Sequence, residues 1–230
     1  MKRLMSILFV IGLMLFAVPA RAADVVSTLP ELRWPASGRF EFAIAFEGSA
    51  LLVSQTRFVV GRTPQEDQYH SVTRNLARPE ALEEIVVGGR SYSRLTAETR
   101  WKSRPYDPDQ AFFNPRGEPL RMLPSGNATV IRVGDVNIAG APTTQYQIPL
   151  DPKLTDVPTA TAAKLDLFIG KNDGYLHKGQ VTIRTPLEEG GPAGDFVYVY
   201  RVYDFNAPVV IGPPPADLID AQAIRDTDRP

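Results

Sequence analysis

Hydrophobic and polar side chains alternate along much of this chain with a period of two. The clearest example is the segment 39–46, in which Phe40, Phe42, Ile44 and Phe46 occupy every second position. Because successive side chains of a β-strand point to opposite faces, this spacing predicts a strand with one buried face. Residues 50–60 continue with strand-like composition, and the short connection before them predicts a hairpin.

Further strand-like segments follow, separated by turns that contain glycine, proline or asparagine. They are residues 68–75, 81–87, 91–95, 99–103, 128–138, 144–150, 164–169, 175–185 and 196–205. No segment has the pattern of a long amphipathic helix, although residues 151–154 can start a short one. The pattern predicts a long antiparallel meander.

The last predicted strand is apolar on both sides, with Phe196, Tyr198 and Tyr200 on one face and Val197 and Val199 on the other. One-sided stripes recur in the two strands before it, at Leu165, Leu167, Ile169, Val181 and Ile183. Two interpretations are open. The stripes either pack on one another in a closed β-core, or line the concave face of a curved sheet as an apolar cavity for a lipid chain.

The N-terminus has the three parts of an export signal. Lys2 and Arg3 precede an apolar stretch at residues 4–18, and small residues at Ala20 and Ala22 suit a cleavage site. The apolar stretch is shorter than the roughly 20 residues that a helix needs to span a bilayer. We therefore expect cleavage after Ala22 rather than a permanent anchor, and export to the periplasm, the cell envelope or the outside.

Composition narrows the classes of function. The 230 residues include no cysteine and two histidines, and the net charge of -1 becomes more negative once the basic signal is removed. Without cysteine there is no disulfide framework, thiolate metal site, cysteine nucleophile or acylated N-terminal cysteine. The absence of a basic cluster argues against a nucleic-acid partner.

The common catalytic motifs are absent, including the nucleophile elbow, the phosphate-binding loop and the H-E-x-x-H zinc motif. The adjacent carboxylates Glu83 and Glu84 should point to opposite faces of a strand, so they are a poor catalytic pair. We expect His70 and His177 to be ordinary surface residues. We therefore predict that the protein is not an enzyme and has no catalytic residue, metal or cofactor. A hydrolase is the weakest alternative, and the sequence offers no candidate residue for it.

Four segments resemble, in the same order, motifs of one protein family. Residues 133–146, with the sequence VGDVNIAGAPTTQY, resemble the G-x-P-T-x-x-Y strand pair of the LppX/LprG-type lipoproteins, which are relatives of the lipoprotein-carrier fold typified by LolA. The other three segments are similar to further parts of these proteins. Two of them resemble hairpins, namely residues 84–92 with Trp101 and residues 165–169 with the turn that follows, and residues 203–214 resemble the closing strand. The resemblance covers roughly residues 38–217.

The resemblance implies a mainly β fold, a single antiparallel curved sheet or half-barrel with short helical or loop segments as a lid. It also implies an apolar cavity that carries acyl chains across an aqueous compartment. We accordingly expect a signal peptide (1–22), an N-terminal lead-in segment (23–37), the half-barrel domain (38–217) and a flexible C-terminal tail (218–230). The chain departs from the family in lacking the lipobox cysteine and in having a proline-rich stretch, residues 105–125, in place of lid helices.

Face alternation and the resemblance together predict nine cavity residues: Phe40, Phe42, Phe46, Tyr92, Trp101, Leu165, Leu167, Tyr198 and Tyr200. The expected partner is a lipid or lipoprotein acyl chain, with transient contact to a membrane surface. The alternative is an envelope sensor or interaction module of the same fold. Its cavity would be filled by its own side chains, and it would dock an envelope protein through residues 105–125 or 213–230.

Overall fold

One antiparallel β-sheet dominates the computed structural model, which describes residues 24–26, 28–46, 49–59, 68–75, 80–107, 128–155, 157–186 and 194–220. Within these residues it has twelve strands. They are β1 (Asp24–Val26), β2 (Ser37–Phe46), β3 (Ser49–Val59), β4 (Gln68–Asn75), β5 (Leu82–Val87), β6 (Arg90–Leu95), β7 (Lys102–Pro105), β8 (Val130–Ile138), β9 (Ala141–Leu150), β10 (Ala162–Gly170), β11 (Leu176–Thr185) and β12 (Gly194–Tyr203).

The sheet is assembled from two meanders that meet at a central seam. Strands β2 to β7 follow one another in space, as do β8 to β12, and β12 then pairs with β2. Strand β1 adds to the outer side of β8, so β1 and β7 are the two edges and the sheet is not closed into a barrel. The predicted mainly β, single-sheet half-barrel is confirmed.

Strand pairing assigns each side chain to one of two faces, because residues directly opposite each other in an antiparallel pair share a face. Phe42 pairs with Tyr200, which pairs with Gly179, which pairs with Leu167. We call the face that carries these residues the inner face, and the opposite one the outer face. Buried apolar side chains are concentrated on the inner face, in two clusters.

The N-terminal strap, residues 28–36, covers part of the inner face. It runs from β1 at the sheet edge to β2 at the seam. Leu29 and Leu32 pack against the cluster around Leu165, and the backbone of Arg33 pairs with Tyr175 beside the β10–β11 turn. The sequence predicted only a lead-in segment here, and β1 was missed because three residues are too few to show a periodicity.

The C-terminal strap, residues 207–220, lies on the outer face. Its near end is joined to β2 by the hydrogen bond from the Asn206 amide to the Ser37 carbonyl, 2.7 Å long. Its far end pairs with Trp101, whose amide donates to the Leu218 carbonyl at 2.8 Å. The Asp220 amide donates back to the Trp101 carbonyl at the same distance. These backbone hydrogen bonds therefore hold Leu218 and Asp220 beside Trp101.

Most predicted strand boundaries differ from the structure by one to three residues, and two of these differences have a clear local cause. The strand predicted at 99–103 starts later, as β7 at Lys102. A turn closed by the hydrogen bond from the Glu98 amide to the Leu95 carbonyl keeps the residues before Trp101 out of the sheet. The strand predicted at 196–205 ends at Tyr203, because Asp204 adopts a positive φ of 54° that no strand accommodates.

The remaining predicted segments have different outcomes. A 3₁₀ helix at Pro152–Leu154 confirms the short helical segment, and the Asp151 side chain caps it. The predicted signal peptide, residues 108–125 of the proline-rich stretch and the last ten residues of the predicted tail lie outside the described residues.

Candidate ligand-binding site

The inner face carries three rows of mostly apolar side chains that cross five strands from β9 to β2. The first row is Ile148, Leu165, Val181, Tyr198 and Ile44. The second is Tyr146, Leu167, Gly179, Tyr200 and Phe42. The third is Leu150, Ala163, Ile183, Phe196 and Phe46. The stripes seen separately in the sequence thus join into one continuous apolar surface.

Aromatic rings line the seam between β2 and β12. The ring centroids of Phe42 and Tyr200 lie 4.8 Å apart in a stacked arrangement, and those of Phe46 and Phe196 lie 4.6 Å apart. Tyr198 stacks on Phe42 at 6.4 Å. Such pairs prefer offset or tilted contacts and add to the energy of area burial. The seam is therefore an aromatic ladder.

Burial along this ladder is graded. Tyr200 and Phe42 are buried, with 1% and 7% of their surface exposed. Tyr198, Phe196 and Phe46, which lie toward the β2–β3 hairpin, are only half-buried. The apolar surface is therefore accessible at this end of the seam, which we call the open end.

The opposite side of the apolar surface is covered by the protein itself. Leu165 and Leu167 are fully buried. The N-terminal strap packs on their cluster, and so do Val157 and Ala160 from the loop before β10. These two short segments are lid elements of the kind that the resemblance implies.

Seven of the nine predicted site residues lie together on the inner face, and two do not. The seven are Phe40, Phe42, Phe46, Leu165, Leu167, Tyr198 and Tyr200. Tyr92 pairs with Ile85, which pairs with His70 on the outer face. Trp101 also lies on the outer face, because its ring centroid is 4.4 Å from the guanidinium carbon of Arg94, which is an outer-face residue. The choice of Tyr92 and Trp101 is corrected for a physical reason: adjacent positions of a strand face opposite ways, and the sequence fixes no register for β6 and β7.

A polar cluster that the sequence did not single out lies on the inner face of β4 to β7. The Tyr69 hydroxyl donates to Glu84 Oε2 at 3.0 Å, and the Ser91 hydroxyl donates to Glu84 Oε1 at 2.7 Å. A guanidinium nitrogen of Arg104 lies 3.9 Å from the same Oε1. Burial raises the pKa of Tyr69 far above its usual value, and the Glu84 carboxylate adds to the rise. The cluster depends on register, so composition gave no signal for it.

The neighbouring carboxylate, Glu83, lies on the outer face as predicted. It accepts hydrogen bonds from Arg94 and contacts His70, each at 2.8 Å. Partial burial acts to raise the pKa of Glu83, but hydrogen bonds from Arg94 and His70 outweigh it and lower that pKa. Beside this network, His70, Ile85 and residues 208–212 of the C-terminal strap line a pocket of about 320 Å³.

The two histidines differ from each other in environment. His177 is 9% exposed, and its Nε2 lies 2.9 Å from Asp173 Oδ2. The prediction of a surface residue is wrong for His177, because the β10–β11 turn brings Asp173 over its ring and Phe205 packs against it edge-on. Among the residues that the structure describes, no group of three or more histidine and carboxylate side chains could hold a metal ion.

The fold has counterparts among solved structures. The lipoprotein LppX of Mycobacterium tuberculosis aligns over 77% of this chain and 90% of its own, with a TM-score of 0.52 and 12% identity. This chain has the LolA/LppX-like fold. Two further LolA/LppX-like matches are LprF of Mycobacterium bovis and a LolA superfamily protein of Nitrosomonas europaea. The alignment with LprF covers 78% of this chain and 90% of LprF, with 14% identity and a TM-score of 0.49. The Nitrosomonas protein covers the same shares, with 11% identity and a TM-score of 0.29.

Comparison by sequence adds no relative. No protein-family model matches the chain, and no curated protein matches it. Within the described part of the chain, no helix has the length and apolar character needed to cross a membrane.

Proposed function

We propose that this protein is an exported, non-catalytic binding protein that holds the acyl chain of a lipid or lipoprotein on the inner face of its half-barrel. The observation that carries the proposal is the open end of the aromatic ladder. Tyr198, Phe196 and Phe46 are half-buried there and share their rows with the buried Leu165, Val181 and Ile183. An apolar surface that is covered at one side and open at the other suits a long, flexible apolar ligand.

The dimensions and energetics support this proposal. Neighbouring strands lie about 4.8 Å apart, so the five strands of each row span roughly 19 Å. Burying one methylene group contributes about 0.8 kcal/mol, so ten methylenes contribute about 8 kcal/mol before the ordering of the chain is subtracted. Lid movement is needed only over the rows that the N-terminal strap covers, since the open end already admits the first part of a chain.

The direct test is to purify the mature protein from its own envelope fraction, extract it with organic solvent and identify bound lipids by mass spectrometry. Rebinding of a fluorescent C16 fatty acid to the stripped protein should be saturable. N-terminal sequencing of the same sample should begin at Ala23. A lipid-free preparation that binds no acyl chain would contradict the proposal.

Two adjacent positions in β12 provide a matched pair of variants. Phe196→Lys puts a charge at the open end of the inner face and should abolish binding of the fatty acid. Val197→Lys puts the same charge on the outer face, one residue away, and should leave binding intact. Circular dichroism and thermal unfolding would show that both variants fold. Equal loss of binding in the two variants would refute the assignment of the site to the inner face.

The alternative function is an envelope sensor or interaction module. The complete burial of Leu165, Leu167 and Phe40 by the protein's own side chains favours it, because a filled inner face needs no ligand. In that case a pull-down from envelope extract should recover one protein in a stoichiometric complex, and the mass spectrum of the organic extract should show no lipid.

A further inference from the structure

Strand β8 has an outer edge that the short strand β1 covers only in part. Strand β1 pairs with residues 130–132, and residues 133–138 of β8 have no further partner strand among the residues that the structure describes. Three of the five large apolar side chains that are exposed in the described residues lie on these two strands, at Val25, Val133 and Val136. Exposed apolar side chains on an unpaired edge are typical of a site to which another strand can add.

The other edge of the sheet, β7, is protected against such pairing. Its four residues include a lysine, an arginine and a proline, which are residues that block the addition of a strand. Residues 133–138 contain no lysine and no proline, and their single charged side chain is Asp135. Ion pairs of 2.7 Å with Arg132 and with Lys171 neutralise that charge. The edge of β8 is therefore the one that can accept a further strand.

The turn between β8 and β9 determines which way the backbone groups of β8 point. Ala139 and Gly140 form a two-residue turn with positive φ angles of 50° and 91°. In a hairpin of this kind the flanking residues, Ile138 and Ala141, are a hydrogen-bonded pair, and such pairs alternate along the strands. Every second residue of β8, beginning with Asn137, therefore directs its N–H and C=O groups away from β9.

Pro142, which lies opposite Asn137, supports this phase. Its nitrogen carries no hydrogen, and its carbonyl accepts from the Lys171 amide at 3.0 Å on the β10 side of β9. Asn137 and, two residues earlier, Asp135 thus present their backbone N–H and C=O groups to the free edge.

These outward groups are complementary to a second copy of themselves. When two β8 strands lie antiparallel with Val136 opposite Val136, Asp135 of each copy is opposite Asn137 of the other. These two pairs exchange about four backbone hydrogen bonds, and the valines between them form a close, non-hydrogen-bonded pair. Each carboxylate then faces an amide, and no like charges meet.

The neighbouring registers lack this fit. A shift of one residue places outward backbone groups opposite inward ones, so no hydrogen-bonded ladder forms. A shift of two residues in one direction places Asp135 opposite Asp135, which is a like-charge pair. The same shift in the other direction places Asp135 opposite Ala139, which lies in the turn. One register therefore uses both outward residues without repulsion.

We propose that residues 133–138 of β8 form a homodimer interface, in which two copies join edge to edge into one continuous sheet. The occupant is a second copy of this chain because the edge is complementary to itself in hydrogen-bond phase, charge and apolar side chains. The paired stretch is shorter than a standard interface, so the association is weak, with a Kd on the order of 10–100 µM. This inference does not depend on lipid binding.

Single-cysteine variants test the register directly, because the chain contains no cysteine of its own. Val136→Cys brings two thiols together at the centre of the pair, where Cα atoms about 4.5 Å apart suit a disulfide. Val133→Cys is the matched control, since the two valines are 37% and 38% exposed. In the proposed register the two copies of residue 133 lie roughly 20 Å apart, too far for a disulfide. Under mild oxidation Val136→Cys should form a disulfide-linked dimer at least about tenfold faster than Val133→Cys.

Sedimentation velocity measures the association itself. The mature wild-type protein, studied from about 5 µM to about 500 µM, should show a reversible equilibrium between monomer and dimer. Val136→Lys places two like charges at the centre of the pair and should weaken the dimer at least about tenfold. Val25→Lys changes an exposed residue of β1, outside the paired stretch, and should leave the Kd within a factor of about two. Circular dichroism would show that both variants fold.

Three results would overturn the proposal. The first is a wild-type protein that stays monomeric up to about 500 µM. The second is equal rates of cross-linking for the two cysteine variants, which would indicate random collision. The third is a dimer that resists Val136→Lys but is lost in Val25→Lys, which would place the contact on β1.

Discussion

Replacing Trp101 with alanine tests the assignment of the two faces of the sheet. The sequence placed this ring in the acyl-chain cavity, whereas the structure places it on the outer face under the C-terminal strap. If the ring lies on the outer face, Trp101→Ala lowers the stability of the protein but leaves its affinity for an acyl chain unchanged. If the ring lies in the cavity, the same variant weakens binding.

The expected loss of stability follows from what the ring touches. Trp101 is 4% exposed, and truncation of a large buried aromatic side chain costs about 3–5 kcal/mol. That range includes the contact with the Arg94 guanidinium, which is worth about 0.5–1 kcal/mol at a partly exposed site. The backbone pairing with Leu218 and Asp220 can persist. A loss of about 4 kcal/mol corresponds to a fall of about 8–16 °C in Tm for a domain of this size.

The assay combines urea unfolding, followed by circular dichroism, with fatty-acid binding at a temperature well below both unfolding midpoints. The milder Trp101→Leu variant and the inner-face variant Tyr198→Ala serve as controls. Tyr198→Ala should weaken binding, whereas both Trp101 variants should keep a Kd within a factor of about two of the wild type. Weaker binding by folded Trp101→Leu, or a stability loss below about 1 kcal/mol for Trp101→Ala, would refute the outer-face placement.

Three further predictions concern stability. The pKa of Glu83 is lowered in the native state, so its ionised form stabilises the protein at neutral pH, and this stabilisation is lost as the pH falls through the lowered pKa. Glu83→Gln should therefore cost about 1–2 kcal/mol at pH 7. In urea unfolding, the variant should also show a smaller decline of the unfolding free energy as the pH becomes acidic. A side chain at Gly170 would overlap Asp173 and press on His177, so Gly170→Ala should cost about 1–3 kcal/mol, seen as a lower Tm. Asn206 has a φ of 56° and bonds two neighbouring segments through its amide. Asn206→Ala should therefore cost about 2 kcal/mol in urea unfolding, and Asn206→Gly should recover only the part due to the backbone.

The strands and the apolar stripe were predictable because each depends on a local pattern. Alternation along 39–46 identified β2 and the face it buries, and the same rule paired Phe196, Tyr198 and Tyr200 on one side of β12. A period of two can be recognised in the sequence without knowing which strands are neighbours. The fold family followed from four short motifs in order, and the likeness to LppX confirms that fold.

Features that depend on register or on distant segments were not predictable. Tyr92 and Trp101 look like cavity residues in a list of aromatic positions, yet one step of register decides their face. The burial of His177 comes from the turn that places Asp173 over it. The Glu84 cluster requires β4, β5 and β6 to align in one register, which short polar strands do not specify by themselves.

The seam between β12 and β2 has a consequence for the way the chain is made. Phe46 and Phe196 are paired across it, about 150 positions apart, so closing the seam requires one of the longest loop closures in the molecule. During synthesis, which proceeds from the N-terminus, the ten residues of β2 exist with an unpaired edge until β12 has been made. An unpaired apolar edge is a template for pairing with other chains. In a nascent copy, the edge of β2 from Phe40 to Phe46 therefore stays unpaired until the last strand arrives.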